Sequence, residues 1–330
     1  MPLPELKLIS RIRAYSGGQR RGKLDAGAIK TGIGDDCAVL RTPIGHEMLV
    51  TTDFSIEGVH FRREWHPARS VGHRCLTRGL SDIAAMGGDP IAAFLSLAVP
   101  GDLRQRWVDE FLQGLLKLAS EFNVRLAGGD TSESPQGVLA DIVVVGSVPK
   151  GKAILRSGAR PGDGIYVTGK LGGSAAVLDL LYSDARKSIK PSDLRGHLFP
   201  QPRIEVGKVL RDKKIATAMI DISDGLSTDL SHICEESSVG AEVSADAIPR
   251  ASVAGRKVDL QIALHGGEAY ELLFTAKGGT QVPARIAGAP ITCIGEIVRR
   301  KNLVLVRADR ARSKLRVHGW QHFQHSSADK

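Results

Sequence analysis

Asp221-Ile222-Ser223-Asp224-Gly225-Leu226-Ser227-Thr228-Asp229 is the stretch from which the fold is read. Ahead of it, Ala216 to Ile220 is apolar apart from Thr217, the pattern of a buried strand. Behind it, Leu226, Leu230, Ile233 and Cys234 recur at helical spacing. The acids and hydroxyls therefore fall at a strand-to-helix turn. A helix start offers unbonded N–H groups and a partial positive charge, which suit phosphate. The carboxylates suit a hard cation. Helix capping by Ser223 or Asp224 explains this stretch equally well on its own. The recurrence of acid-bearing turns elsewhere in the chain favours a ligand role.

Those turns are Gly32-Ile33-Gly34-Asp35-Asp36, Thr51-Thr52-Asp53, Ser81-Asp82 and Gly128-Gly129-Asp130-Thr131. Thr51-Thr52-Asp53 closes the apolar strand Met48–Val50, and Gly128-Gly129-Asp130-Thr131 closes Val124–Ala127. Asp82 lies on the apolar face of a helix opened by Pro67, where a carboxylate needs a partner or a metal. No Cys/His cluster accompanies Asp36, Asp53, Asp82, Asp130, Asp221 and Asp224. An all-oxygen donor set points to Mg²⁺ or Ca²⁺, not zinc or iron. Several carboxylates share one pocket only if cations offset their repulsion. Several Mg²⁺ ions completed by phosphate oxygens would do so, which is the chemistry of phosphoryl transfer. Gly164 to Leu171 reads G-x-x-x-x-G-K-Leu, but it lacks the final Ser or Thr, and an apolar strand occupies the loop, so it is not a P-loop.

The chain has 330 residues, 42% hydrophobic and 25% charged, an ordinary globular composition with room for two domains. Its formal charge of +9 favours anionic partners, nucleotides or nucleic acid. The cysteines at 37, 75, 234 and 293 have no CxxC spacing and fit a reducing compartment. With no signal peptide and no apolar run near the roughly 18 residues of a membrane span, the expectation is a cytoplasmic protein with no membrane partner. Further elements are expected as an N-terminal helix carrying Leu6, Leu8, Ile9 and Ile12, strands Ile91–Val99, Val138–Val148, Ile165–Thr168, Leu272–Phe274 and Ile291–Ile297, and helices Leu103–Phe122 and Leu171–Leu181. Pro149-Lys150-Gly151 is the expected boundary between domains 1–150 and 151–330. The run Arg299 to Arg316 holds 8 Lys or Arg against one acid, Asp309, and reads as a solvated face.

Together with Glu57-Gly58-Val59-His60-Phe61 and His265-Gly266-Gly267-Glu268, these motifs stand in the order seen in the thiamine-monophosphate kinase family, and the chain resembles that family over about residues 5 to 325. The resemblance implies the two-domain α/β (α+β) fold of the aminoimidazole ribonucleotide synthetase superfamily. In it, the sheet of an N-terminal ATP- and metal-binding domain pairs in a homodimer, and a C-terminal α/β domain completes the active-site cleft. It implies phosphorylation of thiamine monophosphate by ATP, the last step of thiamine diphosphate synthesis, by direct in-line transfer without a covalent catalytic residue. By the same resemblance Asp36, Thr51, Thr52, Asp53, Asp82, Asp130, Asp221 and Asp224 match metal positions. Gly129, Asp130, Arg156 and Ser223 match ATP contacts, and His60, Glu268 and Trp320 lie by the acceptor. The family pattern has Asp after His-Gly-Gly-Glu, where this chain has Ala269. Two alternatives stay open: another ATP-using member of the superfamily, such as a selenophosphate synthetase, and a non-catalytic nucleotide- or RNA-binding protein. The first would need a reactive Cys ahead of Gly32, which residues 16–31 lack. Against the second, bare carboxylates repel phosphates, so no nucleic-acid partner is expected.

Overall fold

A computed structural model describes residues 3, 5–17, 29–31, 38–183 and 189–320. The chain divides into two compact units, residues 1–153 with 198–208, and residues 154–197 with 209–330. The return of 198–208 to the first unit is not foreshadowed in the sequence.

The first unit begins with helix α1 (Glu5–Gly17) and the short antiparallel pair β1 (Ile29–Thr31) and β2 (Val39–Leu40). Its body is β3 (His46–Ile56), α2 (Ala68–Ala85), β4 (Asp89–Val99), α3 (Gln105–Glu121), β5 (Arg125–Glu133) and β6 (Leu139–Pro149). The strands form one sheet in the order β3-β6-β4-β5, antiparallel except for the parallel pair β4/β5. Helix α2 packs on β3 and β6, and α3 packs on α2. The apolar stripe of α2 predicted from sequence, Val71, Cys75, Leu76, Leu80, Ile83 and Ala84, is buried. The helices cross closely because two glycines allow it. A Cβ on Gly72 would lie 1.9 Å from the Phe111 carbonyl oxygen, and one on Gly114 would lie 1.9 Å from that of Arg69.

Two expected strand ends lie inside strands. Thr51-Thr52-Asp53 is in the middle of β3, and Gly128-Gly129-Asp130-Thr131 is within β5. Polar residues end a strand only if both its faces are covered. Here one face of the sheet stays half-exposed, so alternate polar residues are tolerated along it.

The second unit holds β7 (Gly164–Thr168), α4 (Gly173–Tyr182), α5 (Pro191–Leu198), α6 (Ile204–Asp212), β8 (Ala216–Ile222), α7 (Leu226–Ser237) and β9 (Gly240–Ser244). The hairpin β10 (Ser252–Val253) and β11 (Arg256–Lys257) precedes α8 (Leu260–His265). Strands β12 (Glu271–Ala276), β13 (Arg285–Ile286), β14 (Ala289–Val298), β15 (Leu303–Val306) and β16 (Arg312–Lys314) follow. The excursion into the first unit runs from the last residue of α5 to the middle of α6, whose residues from Val209 on belong to the second unit. The sheet runs β16-β15-β9-β14-β7-β12-β8, with β13 beside β14, and only β15/β9 is parallel. Strand β7 is interior, bonded to β12 and β14, so the P-loop-like spacing is a sheet strand as expected. The quoted stretch does span the end of strand β8 and the start of helix α7. Together the units make the mixed α/β architecture expected. Among the described residues no helix is long and apolar enough to cross a membrane.

Candidate active site

Alternation along β3 separates its polar residues. Thr51 and Asp53 face α2, where the Thr51 hydroxyl donates to an Asp82 carboxylate oxygen. Asp82 stands one turn beyond Arg78. Burial, then the negative charge of Asp82, pushes the Asp53 carboxyl up to about 7, while Arg78 pulls it the other way. Thr52 belongs to the opposite face, and its hydroxyl donates to Asp141 at 2.7 Å. In register, Ser96 pairs with both Asp130 and Asp141, so these acids flank it on that same face. Asp130 accepts the Thr131 N–H at 2.9 Å. The expected donors of this unit thus form two groups, Thr51, Asp53 and Asp82 on the helix side, and Thr52 and Asp130 on the outer side. Asp36 lies outside the described residues.

Gly129 has φ +143, and a Cβ there would lie 1.8 Å from the Leu95 carbonyl oxygen. The close approach of β4 and β5 therefore requires this glycine, whatever it does for a nucleotide. His60 sits in the turn after β3, where its Nδ1 accepts the Ile56 N–H at 3.0 Å.

In the second unit the acids gather around the start of α7. Asp221 and Asp229 are buried. The Asp229 carboxylate accepts from the backbone N–H groups of Gly225 at 3.0 Å and Asp224 at 3.3 Å, which ties the turn to the first coil of the helix. Burial, then the charges of Asp221 and Asp224, pushes Asp229 up to about 8 despite these two bonds. The loop after α8 lies against the same turn. Glu268 N–H donates to Ser223 O at 2.7 Å, and Tyr270 N–H to Ile222 O at 2.9 Å. Glu268 (φ +58) and Tyr270 (φ +51) have left-handed backbones, a strained conformation for non-glycine residues. Between them Ala269 packs against the apolar core, so the departure from the family pattern places a methyl group against that core.

The chain end closes a third side. Gly319 N–H donates to the Thr228 hydroxyl at 3.1 Å and Trp320 N–H to Asp224 O at 3.0 Å. His265 bonds Ser227 through Nδ1 at 2.8 Å and meets His318 edge to face. Burial and His318 hold the His265 imidazole below its usual range. Asp221, Ser223, Asp224, Glu268 and the half-exposed Trp320 are thereby brought together. Arg156 is not. Its carbonyl accepts from Ser237, at the far end of α7, about 18 Å along a twelve-residue helix.

Sequence reasoning passed over Asp141, Arg78 and Asp229. Asp141 interrupts the apolar strand β6, and Asp229 stands four residues after Gly225, so both left a signal. Among the described residues no group of three or more His, Cys, Asp or Glu side chains is set to hold an ion. The donor chemistry nevertheless fits Mg²⁺: every candidate ligand is an oxygen, and in each unit burial, and then like charges, hold one carboxyl far above its ordinary value.

The chain is similar to known proteins along nearly its whole length. The model of the AIR synthase related protein, N-terminal domain, matches residues 34–148, and that of the C-terminal domain matches residues 160–307. The thiamine-monophosphate kinase of Salmonella typhimurium is 41% identical over 90% of this chain and 91% of its own. The crystal structure of thiamine-monophosphate kinase from Stenotrophomonas maltophilia superposes with TM-score 0.79 at 35% identity, covering 92% of this chain and 97% of that one. AaThiL complexed with AMPPCP and TMP superposes with TM-score 0.75 at 30% identity, covering 98% and 99%. The acid-bearing turn, the loop laid against it and these matches along nearly the whole chain place it in one group: the chain belongs to the thiamine-monophosphate kinase family, built from the two AIR synthase related domains.

Proposed function

We infer that the chain transfers the γ-phosphoryl group of ATP to thiamine monophosphate, giving thiamine diphosphate and ADP. The observation that carries this reading is the Asp221–Asp229 turn, held by Asp229 and flanked by Glu268 and Trp320, in a chain 41% identical to a thiamine-monophosphate kinase. ATP as donor goes with a cytoplasmic reaction.

In this reading the Mg²⁺ donors are Thr51, Asp53 and Asp82 on the helix side of the first sheet, Thr52 and Asp130 on its outer side, and Asp221 and Asp224 in the second unit, and Asp36 is assigned the same role. Bound there, the ions supply positive charge at the phosphate oxygens. Arg78 limits the repulsion between Asp53 and Asp82. Asp229 fixes the backbone of the turn, so that the carboxylates beside it keep one orientation. The positive end of α7 favours anionic oxygens at Ser223. Gly129 and Arg156 remain assigned to ATP. On the acceptor side, the Trp320 indole offers a face to the cationic thiazolium, with Glu268 on the same turn, and His60 of the first unit is assigned to the acceptor as well. No side chain is given a covalent role, in keeping with transfer governed by positioning and charge.

We also propose that the chain acts as a homodimer through the first sheet. Strand β3 is an edge strand of eleven residues, and its outer face exposes Val50 by 67% and Phe54 by 54%. Such an edge ordinarily pairs or is covered.

The test is incubation with ATP, Mg²⁺ and thiamine monophosphate, followed by chromatography. Thiamine diphosphate should form, and EDTA should stop it. Absence of product at saturating substrates, or full turnover in EDTA, overturns the reading.

A further inference from the structure

The basic run that composition left as a solvated face lines a cavity of about 800 Å³ in the second unit. It lies between α7, the turn into β15 and the segment Lys314–His318. Its floor is apolar, with Cys234, Val239 and Leu315 buried. Its rim carries Lys301, Lys314 and Arg316, all exposed. Among the described residues no carboxylate pairs with any of the three, whereas neighbouring Arg312 is paired with Glu242. The one acid on the rim, Glu235, is set toward His232.

Three unpaired cations around one opening repel one another, and an anion between them removes that cost. The volume falls in the range of small-molecule sites and far exceeds one inorganic phosphate. An extended nucleic-acid strand is bound in an open basic groove with aromatic platforms, and none of the cavity-lining residues is Phe, Tyr or Trp. We propose that this cavity binds a small phosphorylated ring compound, its ring on the apolar floor and its phosphate between Lys314, Arg316 and Lys301. The cavity adjoins the acid-bearing turn, since His318 lines it and also meets His265, but α7 presents Cys234 and Ser238 to the cavity and Thr228 and Asp229 to the turn.

Phenyl phosphate, which has both parts, is the probe. Calorimetric titration is run on the full chain with Mg²⁺, AMPPCP and thiamine monophosphate saturating throughout. One phenyl phosphate should bind per chain, at least tenfold tighter than phenol or inorganic phosphate. The double variant Lys314→Glu, Arg316→Glu should weaken it at least tenfold and still make thiamine diphosphate; Lys301→Ala, an exposed single change, should weaken it severalfold. The proposal is overturned by equal binding of the three probes, by unchanged binding in the variants, or by no binding once AMPPCP and thiamine monophosphate are present. A single-stranded oligonucleotide that competes and binds tighter than phenyl phosphate also overturns it, in favour of nucleic acid. Binding is read without turnover, so its failure is distinguishable from failure of the catalytic reading.

Discussion

Asp229 shows how one residue reports on its surroundings. Its carboxyl titrates at about 8, against 3.8 ordinarily. Between these values the native chain keeps a proton that the unfolded chain has lost. The native state then binds more protons, so stability falls as pH rises from about 4 to 8. The slope is at most about 1.4 kcal/mol per pH unit for one such group. Asp53, raised to about 7, adds to it in the same direction. Without divalent cation, the melting midpoint should therefore fall between pH 6 and pH 8, and Asp229→Asn should flatten the fall. Added Mg²⁺ should stabilise more at pH 8 than at pH 6, because the acids it meets are then ionised. An unchanged pH slope in Asp229→Asn would remove Asp229 as its source. Gly129 offers a contrast in backbone terms. Gly129→Ala puts a methyl into the Leu95 carbonyl as well as straining φ, and should cost about 3 kcal/mol or more. Gly255→Ala, at φ +76 in open space, should cost only about 1–2 kcal/mol. Denaturant unfolding of the two variants checks the order.

At the level of elements, the candidate acceptor side is assembled from pieces distant in sequence. Helix α7 holds Thr228, whose hydroxyl accepts from Gly319, ninety-one residues on, and this bond sets the path of the chain to Trp320. Thr228→Val keeps the shape and removes the acceptor. One lost hydrogen bond of about 1 kcal/mol corresponds to about fivefold in binding. KM for thiamine monophosphate should rise by that order, with KM for ATP and kcat nearly unchanged. Steady-state kinetics with each substrate varied decides it, and a shift confined to ATP would move Trp320 to the nucleotide side. The strand β8 and helix α7 were legible because their apolar periodicities switch abruptly at Ile222. The extent of β3 and β5 was not, since Thr and Gly inside a half-exposed strand look like a strand end.

For the whole molecule, the exposed outer face of β3 makes the assembly testable. Val50→Glu with Phe54→Glu should halve the mass found by light scattering. Both changes lie on the outer face that also carries Thr52 and Asp130, while the α2 side of the sheet, where Asp53 and Asp82 meet, is untouched. Retention of the parent mass would show that this strand is not the contact. Asp82→Asn should lower turnover at least tenfold with the fold intact, since it keeps the shape and loses a charged contact to the metal that serves the reacting phosphates. Turnover within twofold of the parent would exclude Asp82 as a metal ligand.

Sequence alone determined the strand and helix elements of an α/β chain, the strand-to-helix turn at Asp221–Asp229 and the rejection of a P-loop. These depend on local periodicity and residue type, which are written in consecutive residues. The tertiary structure decided what depends on register and packing. Alternation in β3 sends Thr51 and Thr52 to opposite faces, and register sets Asp141 and Asp130 on either side of Ser96. Burial makes Asp229 the acid that ties the turn to its helix, and packing turns Ala269 to the core. Folding of α7 against the basic run makes a cavity from residues that look solvated in the sequence. Such relations arise only when remote segments meet, because burial and charge repulsion are properties of neighbours in space.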